Sequence, residues 1–142
     1  MKKKVILLIL LLLHIQMFSC RQTEVLNPKK PVTLTMWHNF GGQMQATMDT
    51  LIEEFNTSIG KKKGIIISIT SISGTSSLQE KLTMIAADDP GAPDMPDIAT
   101  CYPATAELLA DKGLLVPMDE YFTNSELADY LPQFISEGRL SD

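Results

Sequence analysis

The residues best suited to grip a small polar molecule fall in three short groups. The first is Trp37-His38 with Gly41-Gly42, the second Ser73-Gly74-Thr75, and the third the lone Tyr102. Their chemistry is non-covalent. Trp37, the only tryptophan, offers a flat ring that could stack on the apolar face of a pyranose or pack in a core beneath a helix. His38 could hydrogen-bond a hydroxyl or phosphate, or hold a neighbouring loop. Gly41 and Gly42 permit φ > 0 and let a ligand approach backbone N–H groups, although turn geometry alone would also explain them. Ser73, Gly74 and Thr75 could present hydroxyls and amides ahead of a helix. Tyr102 could be a stacking platform, a hydroxyl donor, or a packed core residue.

No set of residues reads as catalytic. His14 and His38 are the only histidines, and His14 lies in the apolar leader, so His38 has no relay partner of its own kind. No nucleophile elbow, HExxH or phosphate-binding P-loop is present. Cys20 and Cys101 have no partner spacing for zinc, so neither a metal nor a cofactor is expected. Asp94, Asp97 and Asp119 sit in turns or at a strand start and read as solvated turn residues rather than paired acids. Lys61-Lys62-Lys63 reads as a solvated turn.

The elements that must position these groups follow from periodicity. Val32–Trp37 is rich in β-formers and reads as a strand. A helix is expected over about 43–58, with Met44, Met48, Leu51, Ile52 and Phe55 on one apolar face and Gly60 and Gly64 as breakers. Ile65–Ser71 is a nearly continuous β-branched run, as expected of a strand buried on both faces. Ser77-Leu78-Gln79-Glu80 has the form of a capping box and predicts a helix start, with Leu78, Leu82 and Ile85 facing inward. Residues 88–96 hold three prolines and a glycine and cannot be regular. Asp97–Cys101 reads as a short strand, and Pro103 opens a helix that Gly113 stops. Residues 119–122 read as a turn or short helix and 124–131 as weakly helical. The order β-α-β-α-β-α predicts an α/β fold with a mainly parallel sheet. Ligands of such sheets bind beyond the carboxyl ends of the strands, where the three groups converge.

The first 20 residues supply a compartment. Lys2-Lys3-Lys4, the apolar run Val5–Leu13, and Ser19-Cys20 form an export signal too short to span a bilayer stably. Residues 1–19 read as a signal peptide, and Cys20 either becomes the lipidated first residue, as in bacterial lipoproteins, or is incidental to an ordinary cleavage. Residues 20–31, with Pro28, Lys29, Lys30 and Pro31, read as a flexible tether. Removing the leader leaves 123 of the 142 residues. It takes three lysines and no acidic residue with it, so the net charge moves from −5 to −8. That excess of acid, without a basic stripe, argues against a nucleic-acid partner.

Taken in order, VTLTMWHNFGG, an amphipathic helix ending EEFN, the strand IIISITS, LQEKLTMIAADDP, PDIAT and AELLADKGLLVPMDEYF resemble the extracellular solute-binding proteins of bacterial ABC importers, of the sugar and glycerol-phosphate type. The resemblance covers about residues 32–122. It implies a periplasmic-binding-protein-like lobe, a carbohydrate or polyol-phosphate ligand at Trp37, His38, Gly41, Gly42, Ser73, Gly74, Thr75 and Tyr102, permease subunits as partners, and a membrane anchor through Cys20. It also implies that residues 32–142 are the first part of one lobe, since family members have two lobes around the ligand. Strand edges meant for pairing would then stay open, making residues 32–142 marginal alone. The competing readings are an anchored, secreted interaction domain, a truncated copy without function, and, with least support, a secreted enzyme.

Overall fold

A computed structural model describes residues 26–139. Three parallel strands form its centre, β1 (Val32–His38), β2 (Ile65–Ser71) and β3 (Ile98–Ala99), in the order β2-β1-β3. Helices α1 (Gly42–Phe55), α3 (Thr75–Ala86) and α4 (Pro103–Asp111) follow the three strands in turn. A mixed α/β fold with an all-parallel sheet is therefore present, in the order expected from periodicity. β1 runs in full register with β2, from Val32 opposite Ile65 to His38 opposite Ser71. β3 touches β1 only through Ile98 and Ala99, so the strand expected over 97–101 is two residues long.

The two sheet faces are unequal. Leu78, Leu82 and Ala86 of α3 join Leu109 of α4 in the only cluster of buried apolar residues among the described residues. Trp37, Ile72 and Ala99 pack against it. Trp37 pairs with Ala99, and both therefore point to this face. α1 covers the opposite face and buries no residue fully. Met48, Ile52 and Phe55 are half-buried, whereas Met44 and Leu51, expected on the same inner face, are exposed.

β2 is not buried on both faces. Its exposure alternates, with Ile65, Ile67 and Ile69 half-buried and Ile66, Ser68 and Thr70 exposed. Its continuous β-branched run reflects its place as an outer strand with one covered face, and β-branched residues suit a strand even where it meets solvent.

The first long helix runs past Gly60, one of its two expected breakers, and stops at the other, Gly64. α1 runs into a π-helical turn (Asn56–Gly60) and then α2 (Lys61–Lys63), so Lys61, Lys62 and Lys63 are helical and exposed. Gly64, at φ 76°, is the actual stop. Gly60 serves a different purpose: a Cβ there would come within 2.6 Å of the Ile65 carbonyl oxygen and 2.9 Å of the Phe55 carbonyl oxygen. The missing side chain lets the helix end press on the start of β2.

α3 also starts differently from expectation. It begins at Thr75 behind Gly74 (φ 90°), and no side chain caps it, so Ser77 lies inside the helix. A capping box does occur at Thr123, whose hydroxyl accepts from the Glu126 amide while Glu126 accepts from the Thr123 amide. It opens α5 (Asn124–Leu127); Met118–Tyr121 forms a 3-10 turn before it, and α6 (Pro132–Glu137) closes the described chain. At the other end, Asn27 to Lys30 of the expected tether closes a turn through Lys30 N–H to the Asn27 carbonyl at 2.9 Å. Asn27 backbone lies so near Gly64 that a Cβ there would fall 2.4 Å from it. Residues 1–25, with the signal and Cys20, lie outside the described residues.

Candidate functional site

The carboxyl ends of the three strands are joined by one side chain, Asn39. Its Nδ2 donates to Thr75 Oγ1 at 2.8 Å, and its Oδ1 accepts from Thr100 Oγ1 at 3.3 Å. Asn39 follows β1, Thr75 opens α3 after β2, and Thr100 follows β3. One amide thus reaches both flanking loops, and it can do so because a primary amide both donates and accepts. Backbone bonds draw the same tips together: Ile72 N–H to the His38 carbonyl at 2.8 Å, and Thr100 N–H to the Trp37 carbonyl at 3.0 Å. Ser71 Oγ donates to the Phe40 carbonyl at 3.2 Å.

Around this clamp the expected site residues divide. Gly41 and Gly42 border open space, with nothing within 4 Å of a Cβ built on either, and Gly42 has φ 56°. Ser73 is exposed, and Gly74 sits at the head of α3. Thr75 is half-buried in the clamp itself. Tyr102 is 58 % exposed at the head of α4, its carbonyl accepting from the amides of Thr105 and Ala106. Below the clamp, Thr105 Oγ1 donates to Gln79 Oε1 and links α4 to α3.

Trp37 and His38 lie beneath the surface. Trp37 is half-buried against the Leu78, Leu82 and Leu109 cluster, so its ring is shared with the core. His38 is wholly buried. Its Nδ1 accepts from the Phe40 amide at 3.1 Å, and the two rings stack with centroids 5.3 Å apart. In the neutral ring this places the proton on Nε2, which has no hydrogen-bond partner among the described residues. His38 therefore shapes the 39–41 loop from below instead of facing solvent.

Two concave surfaces lie elsewhere. One, of about 380 Å³, runs along the outer side of α1 and is lined by Phe40, Met44, Met48 and Leu51. The other, of about 500 Å³, lies between α5 and α6. Neither includes Asn39, Thr75 or Thr100.

Cys101 is free and exposed, and partial burial of its sulfur raises its thiol above the ordinary value, so the thiolate is disfavoured at neutral pH. No cluster of three or more His, Cys, Asp or Glu among the described residues could hold a metal. None of their helices is long and apolar enough to cross a membrane.

Asn39 and Thr100 were not among the residues singled out from sequence. The available signal was an Asn directly after a strand and ahead of Gly41-Gly42, a residue type able to donate and accept at once. No protein-family model, no curated protein and no solved structure matches the chain.

Proposed function

We infer that this chain serves as a solute-binding lipoprotein of an ABC importer, exported and anchored through Cys20, whose strand tips hold a carbohydrate or polyol phosphate for delivery to permease subunits. The observation that carries this reading is the Asn39 bridge to Thr75 and Thr100. An amide has two N–H donors and two acceptor lone pairs. Asn39 spends one of each within the clamp, leaving one donor and one acceptor among the described residues. A polyol offers hydroxyls that both donate and accept, which matches that remainder. Gly41 and Gly42 border open space, and exposed Tyr102 supplies a ring for a sugar face.

No bond is made or broken in this reading. Neither concave surface includes the clamp, so enclosure comes from a second lobe closing over it, and the closed form docks on the permease. Because Trp37 lies under the clamp and against the core, its emission reports occupancy of the site.

The test is a titration of the full-length protein with a panel of sugars and glycerol phosphates, followed by Trp37 fluorescence and by calorimetry, with the solute recovered afterwards. The expected result is a saturable response to a member of the panel, unchanged solute, and affinity lowered at least about tenfold in Asn39→Ala, the loss of a little over 1 kcal/mol expected for a hydrogen-bonding group. Product formation, or a response untouched by Asn39→Ala, would overturn it.

A further inference from the structure

The outer edge of β2 is occupied by a side chain. The amide of Val32 donates to the Gly64 carbonyl at one end of the β1–β2 ladder, and the amide of Ile72 donates to the His38 carbonyl at the other. In a parallel ladder this pattern turns the even-numbered residues of β2 toward β1 and the odd-numbered ones outward. Ile67 is outward, and both of its backbone groups are taken by Asn56. Ile67 N–H donates to Asn56 Oδ1 at 2.8 Å, and Asn56 Nδ2 donates to the Ile67 carbonyl at 2.9 Å.

That two-bond ring is the one a residue directly opposite Ile67 on an antiparallel strand would make. The side-chain amide stands in for the N–H and C=O of one residue of a strand that is not there. The helix end is shaped to bring it into place. Asn56 begins the π-helical turn after α1, and Gly60 lets that turn approach the Ile65 carbonyl closely.

The strand being covered is one that would otherwise associate. Its sequence, IIISITS, has seven residues with no charge, proline or glycine. β2 has no second strand neighbour among the described residues. Two copies related by a twofold axis would bring β2 against β2 antiparallel, which is the geometry that Asn56 imitates.

We propose that Asn56 is an edge lock: its amide occupies the outward groups of Ile67 and prevents a second copy of this chain from adding to β2. This does not depend on what the strand tips bind.

The experiment compares the full chain with its Asn56→Ala, Asn56→Asp and Asn56→Ala/Ser68→Lys variants. Mass is followed by light scattering over a concentration series, and amide exchange at Ile67 is measured at the lowest concentration. Ser68 is exposed on the uncovered face, so a lysine there charges the edge without entering the core. The expected result is a concentration-dependent dimer for Asn56→Ala, with exchange at Ile67 about tenfold faster in its monomer. Asn56→Asp, which keeps the acceptor and loses the donor, falls between Asn56→Ala and the parent chain. The added lysine returns Asn56→Ala to monomer. An Asn56→Ala chain that stays monomeric at every concentration, even if less stable, overturns the lock. So does association that the lysine leaves unchanged, since that is collapse of an unfolded chain and not edge pairing. Should Asn56→Ala fail to fold, Asn56→Asp is read by the same two criteria.

Discussion

Residues 32–111 and residues 112–139 obey the same local rules with opposite results in burial. The first segment holds every buried side chain among the described residues, from His38 at the tip of β1 to Leu109 in α4. In the second, only Leu127 and Ile135 are even half-buried, while Val116, Met118, Tyr121, Leu131 and Phe134 are exposed. The second segment is not poor in structure. It has a complete capping box at Thr123 and a proline at the head of α6. What it lacks, among the described residues, is a partner surface. Caps and prolines decide where a helix starts, whereas stability comes from apolar area removed from water.

The largest test of that difference is a pair of truncations. Leu82→Ala, in the wholly buried cluster, is expected to cost about 2–5 kcal/mol in chemical denaturation. Phe134→Ala, at 66 % exposure, is expected to stay within about 0.5 kcal/mol of the parent. A comparable loss from Phe134→Ala would mean that the second segment is packed in solution.

Next in size is Gly60→Ala. The new methyl would meet two carbonyl oxygens under 3.0 Å away, and both belong to backbone that cannot swing aside. A loss of about 1–3 kcal/mol is expected, as for other overpacked sites. Gly41→Ala, with open space around it, should leave the denaturation midpoint nearly unchanged.

A smaller effect distinguishes local from global structure. Thr123→Ala removes the capping box, which is worth about 1 kcal/mol to a helix. The expected outcome is faster amide exchange confined to α5, with no shift in the main unfolding transition. A shift in that transition would show that α5 is coupled to the sheet.

The smallest effect uses two carboxylates in matching surroundings. Asp97 accepts from both the amide and the hydroxyl of Thr35, 62 residues away, at 2.8 and 2.9 Å. Glu126 accepts from the amide and hydroxyl of Thr123, three residues away, both at 2.8 Å. Bonds from the backbone amide first, then the hydroxyl, hold both carboxyls below their ordinary values. A depressed folded value adds stability that is present above the unfolded value and lost as pH falls through the folded one. Acid should therefore weaken the sheet edge at Asp97 and only the first turn of α5 at Glu126. Following β1 and α5 amides by NMR during acidification tests this. In Thr35→Val the acid response should be reduced for β1 and unaltered for α5.

Asp97 and Asn56 both occupy backbone groups that no strand pairs. Asp97 occupies the outward amide of Thr35 on one side of β1, and Asn56 occupies Ile67 on the outer side of β2. The outer side of β2 and the stretch of β1 that the short β3 leaves unpaired are thus each partly occupied by a side chain.

Much of the scaffold was legible in the residues. The β-α alternation, Pro103 at the head of α4 and Gly113 at its end all appear where periodicity and backbone chemistry place them. The limits of that reading show in two similar tetrads. Ser77 to Glu80 and Thr123 to Glu126 both have the form of a capping box, yet only the second caps a helix. The difference lies upstream, where Gly74 turns the chain and Thr75 is held by Asn39. The candidate site was legible in outline, because polar segments, two of them with glycine, follow the three strands. Its centre was not, because Asn39, Thr75 and Thr100 become neighbours only through the sheet.

Local chemistry along the chain sets which segments extend, which coil and where polar residues follow the strands. These depend on side-chain shape, period and backbone freedom within a few residues. Packing in three dimensions sets that His38 is buried, that Trp37 leans on the core, that Asn39 joins loops up to 61 residues apart and that Asn56 reaches the outer side of β2. Those outcomes depend on which surfaces meet, and a buried or bridging role is a property of the pair of surfaces, not of either residue alone.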